Sequence, residues 1–187
     1  LNADYYYLID RYQVLNSDLS QDQIHSSFKP YQRKSIAGFI DSLEYNASSF
    51  DEANIEFLKT DNWEYFKNGN EDSEKPFLKV FYKKKPDFVH VDTKDFDLHV
   101  KPVLYFSAGR DANSASSPYI NSRGVELRGK IDNKVSFYTF LTENQAVFPK
   151  YVQDYSSSRG IVPNEGFWKL FGGNGYDFFT ARGYIQF

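Results

Sequence analysis

The longest regular pattern of apolar and polar positions runs from Arg123 to Asn144, RGVELRGKIDNKVSFYTFLTEN. Val125, Leu127, Gly129 and Ile131 alternate with Glu126, Arg128 and Lys130. Further on, Val135, Phe137, Thr139 and Leu141 alternate with Ser136, Tyr138 and Phe140. A strand sends successive side chains to opposite faces, so this period predicts a hairpin with one apolar and one polar face. The turn length sets the register. A two-residue turn would pair Ile131 with Lys134 and mix the faces. A three-residue turn, Asp132-Asn133-Lys134, pairs Ile131 with Val135, Gly129 with Phe137 and Leu127 with Thr139. On the polar side the same register sets Arg128 opposite Tyr138 and Lys130 opposite Ser136, with Glu126 near Phe140.

The period recurs twice. From Phe96 to Gly109, the positions Phe96, Leu98, Val100, Pro102, Leu104, Phe106 and Ala108 share one face, and Asp97, His99, Lys101, Val103, Tyr105 and Ser107 share the other. Pro102 lacks a ladder donor, which predicts an edge, a bulge or a locally open pair. From Tyr176 to Phe187, Phe179, Ala181, Gly183, Ile185 and Phe187 oppose Phe178, Thr180, Arg182, Tyr184 and Gln186. Phe77 to Asp92 alternates imperfectly and is broken by Lys83-Lys84-Lys85-Pro86, a solvated edge or loop. Asn68–Pro76 and Arg110–Asn121 read as loops, and Gln145–Gly175 as a long irregular stretch.

Helical periodicity is confined to the first third of the chain. Ser26–Leu43 carries Ile36, Phe39, Ile40 and Leu43 on one stripe. Lys29, Arg33 and Lys34 near its start are expected on a solvated surface. Ser49 and Glu52 fit a capping box that opens a second helix ending near Asp61, with Phe50, Ala53 and Phe57 on its buried side. Asn2–Tyr12 suits a short helix or an ordered arm equally.

Amphipathic strands of this kind suit two environments: a soluble sheet with one wet face, or a membrane barrel with apolar side chains toward lipid and polar ones toward the lumen. Aromatic residues make up 19% of the chain, with 15 Tyr and 18 Phe, as in barrels with aromatic girdles. The strand over 96–109 is long enough for a tilted membrane strand of ~9–11 residues. The connections run long, tight, long, the asymmetry of outer-membrane barrels. No apolar run reaches the ~18 residues of a transmembrane helix. There are no cysteines, which rules out disulfides, thiolate metal sites and a cysteine nucleophile. A net charge of −3 offers no case for nucleic acid. The chain opens at Leu1 without an initiator Met or an apolar leader, as though processed or trimmed.

Several stretches resemble a known family. Lys101–Phe106 (KPVLYF), Tyr119–Gly129 (YINSRGVELRG), Val135–Gln145 (VSFYTFLTENQ) and Tyr176–Ile185 (YDFFTARGYI) resemble strands of the Wzi-like capsule-assembly outer-membrane proteins, in particular the gliding-motility branch called RemB. Phe28-Lys29-Pro30-Tyr31 resembles the segment before the family's first helix. The resemblance implies an α+β chain: an N-terminal helical segment over 1–95, periplasmic or plugging a barrel lumen, then antiparallel up-and-down strands at about 96–109, 123–131, 135–144 and 176–187. These would be the first strands of an outer-membrane β-barrel in a Gram-negative bacterium. Four strands cannot close a barrel, which takes about eight, so the chain is expected to be the opening portion of a longer one. The implied role is non-enzymatic: binding or organising surface polysaccharide, or belonging to an outer-membrane assembly of gliding or secretion. The implied partners are outer-membrane lipid, polysaccharide and other outer-membrane proteins, with no cofactor.

Chemistry-bearing motifs are sparse. His25, His90 and His99 are not at metal-ligand spacing, so no metal site is expected. Asp95 and Asp97 would share a strand face and could act as a carboxylate pair in a glycan-processing enzyme, but a solvated rim accounts for them and no catalytic residue is expected. Gly172-Gly173-Asn174-Gly175 lacks the Lys-Ser/Thr of a phosphate loop. Two groups remain as ligand-binding candidates. Arg128, Lys130 and Tyr138 lie on the polar hairpin face, where they would meet an acidic sugar or dock the helical segment. Tyr151, Tyr155 and Trp168 lie in the long stretch, where they would stack on sugar rings. A soluble, secreted, carbohydrate-binding β-module is the alternative function.

Overall fold

The computed structural model describes residues 3–16, 24, 29–43, 48–66, 71–112, 117–132 and 134–187. The chain forms two compact units, Leu1–Glu74 with Lys84–Pro86, and Lys75–Lys83 with Asp87–Phe187.

The first unit is helical: α1 (Ala3–Leu15), α2 (Arg33–Asp41), α3 (Ser49–Asp61) and a 3-10 turn (Trp63–Tyr65). On α2 the predicted stripe of Ile36, Phe39, Ile40 and Leu43 is buried. The helix is shorter than the expected Ser26–Leu43 because Lys29 precedes Pro30, which disfavours helical dihedrals there. Residues 25–28 of that span lie outside the described residues. Two expectations for α3 are corrected. Its cap is Ser48, whose hydroxyl accepts from the Asp51 N–H at 3.2 Å. Its buried side is Ile55 and Leu58, whereas Phe50 and Phe57 are 65% and 49% exposed. Asp51 is drawn inward by Arg11 at 3.2 Å and by the Tyr12 hydroxyl, which turns 51, 55 and 58 toward the core and Phe50 out. Arg33 is not a solvated charge either. It donates to Asp61 at 2.7 Å and to the Asn62 side chain at 3.1 Å. Lys84 and Lys85 pair with Asp72 at 2.6 Å and Glu71 at 3.1 Å.

The second unit is an antiparallel six-stranded sheet in the order β1-β2-β3-β4-β8-β7. Its strands are β1 (Val89–Asp92), β2 (Phe96–Ala108), β3 (Tyr119–Ile131), β4 (Val135–Val147), β7 (Lys169–Phe171) and β8 (Gly175–Gln186). The sheet is open, with β1 and β7 at its edges. The hairpin register is the one derived from the apolar pattern: Ile131 pairs with Val135, Gly129 with Phe137, Arg128 with Tyr138 and Lys130 with Ser136. Asp132 takes the left-handed position at φ 52°, while Asn133 lies outside the described residues. Pro102 sits beyond the reach of β1, which pairs only with 97–100, so β2 has a single neighbour there.

The span 145–175 is not irregular. It holds the end of β4, helix α4 (Lys150–Arg159), a ribbon of β5 (Ile161–Val162) with β6 (Gly166–Phe167), and β7. Helix α4 shows no apolar stripe in the sequence because it buries only Ser156. It stops at Gly160, whose φ of 71° suits glycine at a helix end. Likewise β3 begins at Tyr119, within the stretch expected as a loop. The segment before 96 also differs from a purely helical one, because β1 joins the sheet.

The tight turns β1–β2 and β3–β4 lie at one end of the sheet. The longer connections, 109–118 and 148–174, lie at the other. Among the described residues no helix is long and apolar enough to cross a membrane. Two glycines let the strands close up. A Cβ on Gly124 would lie 1.9 Å from the Leu141 carbonyl oxygen, and one on Gly129 would lie 2.3 Å from that of Asp97 and 2.7 Å from the Phe137 ring. Interior glycines of this kind mark close backbone approach or a bend in a strand.

Candidate functional site

Directly paired residues share a face, so the register sorts the whole sheet. One face carries Leu104, Phe106, Phe179 and Ile185, all at least 60% exposed, with Ile131 at 47%. Half-buried Val125, Leu127, Phe137 and Leu141 complete it. The other face carries His99, Arg128, Ser122, Thr142, Asn144 and Thr180, none more than 7% exposed. Over its middle the polar side of the sheet is the buried one, while Tyr105 and Tyr184 on that side are 57% and 44% exposed.

Near the loop end this polar face carries a small apolar cluster. Ala146, Val162, Tyr176 and Phe178 are buried, with Ile120, Phe148 and Trp168 against them. In the middle, Asn144 donates to the Thr180 hydroxyl at 3.0 Å and the Phe178 carbonyl at 3.2 Å. Thr180 in turn donates to Glu165 at 2.8 Å, and Arg182 donates to the same carboxylate at 2.7 Å. The chain of donors and acceptors ties the β5–β6 turn to β8.

The densest charge lies at the tight-turn end. The segment Val89-His90-Val91-Asp92 meets Asp97-Leu98-His99-Val100 in reverse order across one short turn. Antiparallel pairing therefore sets His90 against His99 and Asp92 against Asp97. Thr93 closes the turn by donating its N–H and its hydroxyl to the Phe96 carbonyl at 2.8 Å and 3.0 Å. The two imidazoles lie 4.6 Å apart between centroids. Asp97, two residues before His99 and hence on its face, reaches both: Oδ1 is 3.0 Å from His90 Nε2, and Oδ2 is 3.2 Å from His99 Nε2. His99 Nδ1 donates to Asp87 Oδ2 at 2.7 Å. Asp87 Oδ1 also faces Arg128 at 3.7 Å and Lys101 at 3.8 Å. Burial pushes the Asp87 carboxyl up, but His99, Lys101 and Arg128 outweigh it and hold it below the usual carboxylate range. Asp87 faces Arg128 and Lys101, and Asp92 and Lys130 flank Asp97 in register, so the fixed charges balance and imidazole protonation or a bound cation sets the net charge. His90, Asp97 and His99 offer three ligand atoms within 4.8 Å of one another, the group that could hold a metal ion among the described residues.

The expected site residues separate. Arg128, Lys130 and Tyr138 do share the polar face. Arg128 is buried beside Asp87, Lys130 is paired in register with Asp97, and Tyr138 donates to Glu126 at 3.2 Å and stacks on Tyr184 at 5.3 Å. Tyr151 and Tyr155 are exposed on α4, with the Arg159 guanidinium 5.1 Å from the Tyr155 ring. Trp168 is half-buried and packs at 4.4 Å on Tyr176, whose hydroxyl in turn lies 3.2 Å from that of Ser157 on α4. Nine positions separate His90 from His99, so spacing along the chain does not join them. The mirrored VHVD and DLHV flanking a turn were the signal that would have joined them.

The fold is of the α+β class, with N-terminal helices followed by an antiparallel meander. Comparison with protein-family models, with curated proteins and with solved structures finds no match.

Proposed function

We propose that the second unit is part of the wall of an outer-membrane β-barrel of Wzi-like type in a Gram-negative bacterium. Its apolar face lies against lipid and its polar face toward the lumen. It binds or organises capsular polysaccharide, or serves a gliding or secretion assembly, and performs no chemistry. The observation that carries this reading is the inverted burial of the sheet. A soluble sheet hides its apolar face, and each Leu or Phe left in water forgoes about 1.5–3 kcal/mol. Here Leu104 is 82% exposed while Arg128 is 6% exposed.

On β2 the apolar positions from Phe96 to Phe106 run about 34 Å at ~3.4 Å per residue, or about 24 Å along the normal at a ~45° tilt, against an apolar band ~25 Å tall. Across β3 and β4 the apolar rows are shorter and run only as far as the row of Pro102, and on β8 one row further, to Phe179. Asn121, Arg123, Glu143 and Asp177 end the band toward the longer connections. Tyr151 and Tyr155, four residues apart on α4, are the aromatic pair for sugar contact, and Arg128, Lys130 and Tyr138 form the lumenal polar wall.

The test is fractionation of the source membranes followed by incubation with the cell's own surface polysaccharide. The chain is expected to resist alkaline carbonate, to need detergent for release, and to retain the glycan without shortening it. Release into carbonate or an aqueous fraction would sink the barrel reading and leave the secreted carbohydrate-binding module. A shortened glycan would make the protein an enzyme.

A further inference from the structure

We propose that His90, Asp97 and His99 form a binding site for a divalent transition-metal ion of the zinc and cobalt class. The inference does not depend on whether the apolar face lies in lipid.

The first ground is convergence. Residues from two strands aim one donor atom each at one point, within 4.8 Å of one another. The carboxylate lies 3.0 Å and 3.2 Å from the two Nε2 atoms. Ligands at ~2.0 Å on a tetrahedral ion are about 3.3 Å apart, so from a spread of up to 4.8 Å a rotation of the carboxylate and a closing of the two imidazoles admit the ion. The sheet holds the donors in place, because His90 and His99 are register partners and Asp97 is two residues from His99.

The second ground is the partner behind His99. An ionised carboxylate only accepts, so Asp87 fixes the His99 proton on Nδ1 at 2.7 Å. Asp87 is fully buried and His99 is 1% exposed, so the ring is locked. Its Nε2 then points at Asp97 Oδ2, another acceptor, at 3.2 Å. A lone pair facing a carboxylate requires a positive centre between them, a cation or a second proton. A second proton meets this need in the absence of metal, and a cation competes with it because His90 brings a second nitrogen to the same carboxylate. A carboxylate behind a ligating imidazole is the recurrent way proteins orient such a ligand.

The third ground is the donor set. Two imidazole nitrogens and one carboxylate oxygen suit Zn2+, Co2+ or Ni2+, rather than Ca2+ and Mg2+, which take oxygen alone. The side chain of Asp97 is 23% exposed and that of His90 is 10% exposed, so the site opens on their side. Lys101 and Arg128 face Asp87, and Lys130 pairs in register with Asp97. These cations weaken the site relative to a closed structural zinc centre.

The test is titration of the full chain in detergent with Co2+, read by its visible absorption, followed by displacement with Zn2+. One equivalent is expected to give a saturable band that Zn2+ abolishes and Ca2+ leaves intact. His90→Gln and Asp97→Asn should each weaken Co2+ binding at least tenfold. Asp87→Asn, a positioning change, should weaken it about 10- to 100-fold and shift the band. Far-ultraviolet circular dichroism checks that each variant keeps its sheet, and the two ligand variants serve as replacements for one another should either fail to fold. Absence of a saturable band in the native chain, or affinity unchanged in a folded His90→Gln or Asp97→Asn, would overturn the proposal. Nitrogen NMR showing His99 protonated at both nitrogens in the presence of saturating Zn2+ would do the same.

Discussion

Placing a charge at Ala181 separates lipid from water on the apolar face. Ala181 is exposed on β8, in the row Pro102–Val125–Leu141–Ala181, on the apolar face and one row inside Arg123 and Glu143. In water, an exposed Ala→Arg change stays within about 0.5 kcal/mol. At a bilayer midplane it costs about 2–4 kcal/mol, since the guanidinium must be desolvated or snorkel past several strand residues. That is roughly a 30- to 1,000-fold change in the folding equilibrium at about 1.4 kcal/mol per decade. The internal control is one residue away. Arg182 already stands on the polar face, paired with Glu165 at 2.7 Å, so charge at this level of β8 is tolerated on that side. The assay is urea unfolding of the chain in phosphatidylcholine vesicles, followed by Trp168 fluorescence in a Trp63→Phe background, with and without Ala181→Arg. A loss of about 2 kcal/mol or more is expected. A change within about 0.5 kcal/mol would refute the membrane assignment of this face.

Three further outcomes follow from particular contacts. Asp61→Ala leaves Arg33, whose side chain is 12% exposed, without its carboxylate, and should cost about 3–5 kcal/mol in thermal unfolding; adding Arg33→Met should recover part of the loss, and an unchanged melting temperature in Asp61→Ala would contradict the pairing. Gly129→Val would drive a side chain into the Asp97 carbonyl and the Phe137 ring, for a loss of about 1–3 kcal/mol by denaturant unfolding; wild-type stability would mean the strands do not approach as described. The Tyr31 hydroxyl is pushed up to about 12 by burial, then by its hydrogen bond to Asp10 and that carboxylate's charge. A group whose folded value is raised stabilises fully below its ordinary 10.0 and stops doing so as pH climbs through the folded value. The helical unit should therefore lose stability between about pH 10 and 12, with less loss in Tyr31→Phe, and tyrosinate absorbance that follows ordinary exposed tyrosines throughout would contradict the burial.

The sequence determined the local geometry of the sheet. Alternation over 123–144 dictated the two faces, and the demand that apolar meet apolar dictated the three-residue turn and the register of Arg128 with Tyr138. The α2 stripe was equally legible, because a single apolar face at helical spacing has one way to be buried. Other features escaped because their cause is not periodic. Helix α4 buries a serine instead of a stripe. The buried side of α3 follows Arg11 reaching for Asp51 from another helix. The packing of Trp168 on Tyr176 likewise has no periodic signal. The sequence also left open which sheet face is buried, since alternation is symmetric between inside and outside. Tertiary structure decided that His99, Arg128, Thr142, Asn144 and Thr180 of the polar face are buried while Leu104, Phe106 and Ile185 of the apolar face are exposed. It also brought His90, nine residues from His99, onto the same carboxylate. The physical reason is common to both: burial and convergence depend on which strands become neighbours, and neighbours in a sheet are chosen by pairing across turns, not by spacing along the chain.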